Sequence, residues 1–322
     1  MTVAAALMGY VASGGFVVPR LLLRLRWLDR SPRLGLLVWQ SLIVSLVAAT
    51  ALAGVALAIP SVGVSGGLAE LLHACVAAIR SRYATPGGAA TAIVGLSMAL
   101  VVTLRGGSAV VRLAVRSARA RARHRESLAI LGRADAEGGF TVVDHRVPTA
   151  YCVPGLRPQI VVTSAARAAL DEAQLRAVLA HERAHLAGRH GLQIGFAAAM
   201  AQAFPGVPLF GVGAREVARL AELVADEAAA RSVSRYTVAR ALVALAGTPA
   251  PEAALAAGGP DATARVERLL GEPRPLGRLP SATLAVTVVA VLAVPLVVTF
   301  GGLWGARAVP LCPVSHAPVA RA

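Results

Sequence analysis

Four stretches of this chain carry almost no charge and are each long enough to cross a lipid bilayer: roughly Thr2–Val18, Leu36–Ile59, Gly88–Leu104 and Ala282–Gly305. A helix rises ~1.5 Å per residue, so about 17–25 apolar residues cross the hydrocarbon core. Any one stretch alone would fit a buried core helix. Four together, in 322 residues that are 56% hydrophobic with a mean hydropathy of +0.65, exceed what a water-soluble core needs. The sequence therefore predicts a multi-pass α-helical membrane protein. Three spans lie within residues 1–105 and a fourth within 281–322, flanking one intervening region, 106–280, of a single domain's size. No basic stretch precedes the first span, so it reads as a retained helix rather than a cleaved leader, although Gly9, Gly14 and Gly15 weaken it.

The charged residues orient the spans. All 32 basic residues are arginine, against 17 acidic ones, a formal net charge of +15. Arg20, Arg24, Arg26, Arg30 and Arg33 follow the first span, and Arg105, Arg112, Arg116, Arg119, Arg121, Arg123 and Arg125 follow the third. The loop 61–87 has only Arg80 and Arg82. Arginine-rich loops stay on the cytoplasmic side, so the first and third loops are expected there, with both termini outside. Arg112, Arg116, Arg119 and Arg123 share one helical face, which suits anionic headgroups at about 1 kcal/mol each. No aromatics are interleaved to stack bases, so no direct nucleic-acid binding is expected. Cys75 and Cys312 are both expected outside, where they could pair, whereas Cys152 reads as a small buried hydrophobe.

Chemistry concentrates in His181-Glu182-Arg183-Ala184-His185. Asp171 and Gln174 form a capping-box signature, and Leu175, Val178, Leu179 and Leu186 recur at helical spacing, so a helix is predicted across the motif. Residues four apart share a helix face, which lets His181 and His185 hold one Zn²⁺ with Glu182 beside them as general base. His190, nine residues after His181, falls on the opposite face and reads as a solvated or capping histidine. A third ligand is needed. A second predicted helix, Ala214–Arg231, offers Glu222 and Asp226 on one face, one to bind metal and the other to orient a ligating imidazole.

Three stretches in order resemble the membrane-bound gluzincin metallopeptidases: 149–155 (Thr-Ala-Tyr-Cys-Val-Pro-Gly), 159–164 (Gln-Ile-Val-Val-Thr-Ser) and the HExxH helix. Those peptidases include HtpX-like and CAAX-processing proteases and the peptidase part of the BlaR/MecR antirepressors. The resemblance covers roughly residues 140–305 and includes the late segment 265–270. It implies an α+β gluzincin domain facing the cytoplasm of a bacterial plasma membrane. It also implies Zn²⁺ held by His181, His185 and Glu222, with Asp226 orienting a histidine. Thr149 replaces the asparagine usual in HtpX-like relatives, which tilts the resemblance toward the BlaR/MecR branch. A cytoplasmic repressor is then an expected substrate. That branch's penicillin-binding sensor is missing after the last span, since 306–322 is too short for a domain, so any signal is expected to come from the short outer loops or a separate sensor partner. In such peptidases an edge strand beside the HExxH helix holds the substrate main chain, and Gln159, Ile160, Val161, Val162 and Thr163 are the candidate edge here. The alternatives are an HtpX-like quality-control protease and a catalytically silent scaffold or receptor subunit with structural zinc. Tyr236, Arg231 and Arg240 are candidates for stabilising the oxyanion, with none preferred.

One segment restricts the topology. Residues 191–204 are apolar apart from Gln193 and Gln202. If they crossed the bilayer once, Glu222 would lie on the opposite side from the histidines, so the segment must stay interfacial or enter and return.

Overall fold

The computed structural model describes residues 2–24, 26–58, 76–77, 80, 83–85, 87–135, 138–155, 157–246, 261–272 and 275–305. Cys75 and Cys312, and hence their pairing, lie outside the described residues. Among those described, four helical segments are long and apolar enough to cross a membrane: Thr2–Arg24, Pro32–Ala58, Gly88–Leu131 and Arg278–Gly301. The first consists of α1 (Thr2–Ala12), a π-helical turn (Ser13–Val17) and α2 (Val18–Arg24). The others are α3 (Pro32–Ala58), α4 (Gly88–Leu131) and the last helix, α11 (Arg278–Gly305). At 44 residues α4 is about 66 Å long, twice what a bilayer needs. The third apolar stretch ends at Leu104 but its helix does not. Gly106 and Gly107 each cost only about 1 kcal/mol, and the arginines that follow are good helix formers.

The contacts divide the chain into two compact units. The first holds residues 1–11, 47–103 and 292–322, and its described core is Leu7, Ala49 and Ala53 with Leu52, Met98 and Val298 packed around them. Here α3 and α4 cross with their backbones in contact. A Cβ on Gly54 would strike the main-chain oxygen of Gly95, and one on Gly95 would strike that of Gly54. Small residues permit such approaches between apolar helices.

The second unit holds residues 12–46 and 104–291. Its sheet has strand order β1-β2-β4-β3: β1 (Gly132–Ala134), β2 (Thr141–Val143), β3 (Ala150–Val153) and β4 (Gln159–Thr163). β1 and β2 are antiparallel, β2 and β4 parallel, and β3 and β4 an antiparallel hairpin. Residues alternate between two cores. Ile160 and Val162 face the helical layer, while Val153 and Val161 pack with Leu128 of α4. β1, without a β-branched residue, has no strand signal in the sequence. The candidate substrate edge Gln159–Thr163 is corrected here. β4 is paired on both sides, with β2 along Val161–Thr163 and with β3 along Gln159–Val162, so it is an interior strand, and the free edge beside it belongs to β3.

Helices follow: α5 (Ser164–Ala169), α6 (Glu172–Ala187), α7 (His190–Ala203), α8 (Pro208–Ser232), α9 (Arg235–Ala246) and α10 (Asp261–Leu270). Asp171 caps α6 as its sequence signals. Its carboxylate accepts from Gln174 N at 2.8 Å, and Gln174 Oε1 accepts from Asp171 N at 2.9 Å. The apolar segment 191–204 forms α7, about 21 Å long, and the chain turns at Pro205-Gly206-Val207 into α8, making a helical hairpin. The hairpin packs among helices of its own unit. Gln40 Nε2 donates to Gln193 O at 2.9 Å, Gly213 lies against Trp39 and Ile43, Gly195 against Leu113, and Val207 against Gly15 of the π-helical turn. Gly14 and Gly15, which weaken the first span as sequence, are buried where close neighbours need their missing side chains. Because the segment returns, α6 and α8 lie side by side.

Candidate metal centre

His181 and His185 sit one turn apart on α6, and Glu222 reaches them from α8. Their Nε2 atoms are 3.0 Å apart, and each is 3.4 Å from a Glu222 carboxylate oxygen. Ligands ~2.0–2.2 Å from a tetrahedral metal stand about 3.3–3.6 Å from one another, and each histidine meets a different oxygen of the one carboxylate at that spacing, so the three residues converge closely enough to hold one zinc. Two imidazole nitrogens and one carboxylate oxygen also form a donor set suited to zinc. One residue triplet among those described brings ligand atoms within 4.8 Å of one another in this way, and it is this one.

The atoms behind the triangle fix which nitrogens point into it. Asp226 Oδ1 lies 3.1 Å from His181 Nδ1, which leaves Nε2 for the metal. Asp226 is 1% exposed, and Arg265 holds it from the other side, Nε to Oδ2 at 2.8 Å and Nη2 to Oδ1 at 2.7 Å. Arg265 Nη1 also reaches Glu222 Oε2 at 2.9 Å. One buried guanidinium thus positions both acidic residues. Sequence reading placed 265–270 within the family resemblance but gave Arg265 no role. Its distance from the histidines along the chain hides a link that only the packing of α10 on the site creates.

His190 is a second correction. α6 ends at Ala187, Gly188 caps it, and Arg189 adopts a left-handed conformation at φ 50°, so His190 opens a new helix instead of continuing the old one. The helical-wheel projection across that break fails. His190 is 3% exposed, its Nδ1 lies 3.0 Å from His185 Nδ1, and the two rings meet edge to face at 4.9 Å. It does for His185 what Asp226 does for His181. Gly188 makes the room, since a Cβ there would collide with the His190 ring.

Electrostatics follow this geometry. Burial works against a charge on His181, but hydrogen bonds and charge from Asp226 and Glu222 prevail and raise it to about 9. Burial and then the charge of His181 depress His185 to about 4. Asp226, despite burial, is held down at about 2 by Arg265 and then His181. Glu222 is also lowered against burial, chiefly by His181 and Arg265. Glu182 moves the other way. Burial raises it above the ordinary carboxylate range, and the thiol and main chain of Cys152 lie within hydrogen-bonding reach. Cys152 itself is pushed up to about 12 by burial and then by Glu182, so it stays a thiol. These contacts place Glu182 against β3, the strand with the free edge.

Residues 116–272 match the model of peptidase family M48. No curated protein and no solved structure matches the chain. The M48 match runs from within α4 to just past α10, so it contains His181, Glu182, His185, His190, Glu222, Asp226 and Arg265. It supports a metallopeptidase of that family, whose members depend on a metal, usually zinc. Of the oxyanion candidates, Tyr236 is 63% exposed and Arg231 is also exposed. Arg240 faces Asp171 at 3.7 Å, at the far end of α6 from the histidines. Among the described residues, none of the three makes a hydrogen bond or ion pair with the metal-facing side chains.

Proposed function

We propose that this protein is a membrane-embedded zinc endopeptidase that cleaves protein substrates at the cytoplasmic face of the membrane, in a regulatory role. The observation that carries this reading is the triangle of His181, His185 and Glu222 with the buried Glu182 beside it. When bound there, zinc would polarise the scissile carbonyl and make water a nucleophile near neutral pH. Glu182, its proton affinity raised by burial, accepts the proton of the attacking water and returns it to the leaving nitrogen. Asp226 and His190 keep the two imidazoles in register, and Arg265 keeps Glu222 ionised and aimed. The free edge of β3, Ala150–Val153, adjoins Glu182 and suits an extended substrate chain added as a fifth strand. A cytoplasmic repressor or signalling protein is the proposed substrate.

The test is Glu182→Gln in the full-length protein. Zinc content should match the parent, while new N-termini in cells should disappear and cleavage of a substrate found that way should fall about 10²–10⁴-fold. Unchanged cleavage would sink the peptidase reading and leave a scaffold with structural zinc. A short list of lost cleavages supports a regulatory role, whereas broad loss among misfolded membrane proteins would favour quality control.

A further inference from the structure

The turn Arg26–Arg30, helices α8, α9 and α10 and the chain leading into α11 enclose a cleft of about 640 Å³ away from β3. Six arginines line it against three carboxylates. Arg219 is matched by Asp29, Arg268 by Glu227, and Arg265 by the acidic residues of the metal centre. Two others meet no carboxylate. Arg235 gives Nε and Nη2 to the neutral carbonyls of Leu269 and Arg268 at the end of α10, at 3.0 and 2.5 Å. Arg231 is exposed, with no ion pair or hydrogen bond among the described residues. In addition, Nη1 of Arg268 is buried with no acceptor. A concave surface with guanidinium charge and donors left over is complementary to a phosphate, whose oxygens match that planar fork.

Its place in the chain narrows the ligand. Asp29 and Arg30 immediately precede α3, and Pro275 precedes α11, so two walls of the cleft are the ends of candidate spans. Arg30 closes the gap between them, donating to Pro275 O at 3.4 Å. If those helices cross the bilayer, the cleft opens where lipid phosphates lie.

We propose that this cleft binds the phosphate of an anionic phospholipid headgroup, chemistry that inorganic phosphate shares. Arg265 forms part of its wall and holds Glu222 and Asp226 with the same guanidinium, so the occupant is one side chain from the metal centre.

Native mass spectrometry of the full-length protein, released from detergent after exposure to phosphatidylglycerol, tests this. One lipid should be retained per chain, and Arg231→Gln should weaken retention about tenfold. Arg167→Gln, exposed on α5 away from the cleft, should leave retention unchanged, and thermal midpoints of both variants should match the parent. Displacement of the lipid by inorganic phosphate supports phosphate recognition. Phosphate binding without lipid retention supports the site but assigns it a soluble phosphate. Retention of neither, or equal losses in the two variants, would overturn the proposal. None of these readouts depends on peptidase activity, so failure here and failure of the peptidase reading remain distinguishable.

Discussion

At the residue scale, each metal-facing imidazole has its own partner, and the two partners differ in kind. Asp226 is a buried anion, whereas His190 is a neutral ring in a space kept by Gly188. His190→Ala should weaken zinc binding about 10–100-fold, the usual effect of losing an orienting partner. Gly188→Ala tests the same contact by filling its space. Alanine normally favours a helix by roughly 0.5–1 kcal/mol over glycine, so any fall in zinc affinity must come from displacing the His190 ring. Equilibrium zinc titration against a chelating dye measures both, and unchanged affinity would reduce His190 to a packing residue. The proton balance gives a third expectation. Without metal, His181 is protonated up to about pH 9, and zinc must displace that proton, whereas His185, near 4, is already neutral. Zinc affinity should therefore rise with pH, about tenfold per unit between pH 6 and 8, flattening above 9. Titration calorimetry in buffers of different ionisation enthalpy should show about one proton released per zinc. The sequence made His181, Glu182 and His185 legible because they sit within one turn. It hid Arg265, whose partners lie some forty residues away, and His190, whose orientation depends on a helix break at Arg189.

At the scale of elements, local signals proved sound where one chain segment decides the outcome. The capping box at Asp171 and the helix carrying Glu222 are both set by neighbouring residues. Which strand lies at the edge is a different matter. β3 and β4 are both short strands with apolar residues, and only the parallel pairing of β2 along β4 makes β4 interior. That pairing joins residues about twenty apart and leaves no periodicity to read. The same limit applies to the α3–α4 crossing. Gly54 and Gly95 look like isolated interruptions of apolar helices, yet each backbone lies where the other's side chain would go. Since main-chain atoms cannot swing aside, Gly95→Leu should destabilise the first unit by roughly 1–3 kcal/mol. Thermal unfolding in detergent should show a lowered midpoint. The equally long substitution Val94→Leu, at a position 62% exposed, should leave it nearly unchanged.

For the whole molecule, the hairpin of α7 and α8 decides whether the site can exist. A crossing at 191–204 would separate His181 and His185 from Glu222. The returning chain keeps them together on whichever side of the membrane α6 occupies. Arginine placement carries the proposal that this side is the cytoplasmic one. Seven arginines follow the third apolar stretch between 105 and 125, against two in the loop 61–87. Moving such an excess outward is opposed by the rule that keeps basic loops inside. Single cysteines placed in a chain with Cys75, Cys152 and Cys312 replaced should therefore label asymmetrically with a membrane-impermeant maleimide. Tyr83→Cys, exposed ahead of α4, should react in intact cells. Arg116→Cys, exposed on α4 beyond its apolar half, should react only after lysis. The reverse pattern would place the metal centre outside and exclude cytoplasmic repressors as substrates. Labelling of both in intact cells would mean that α4 does not cross the membrane at all.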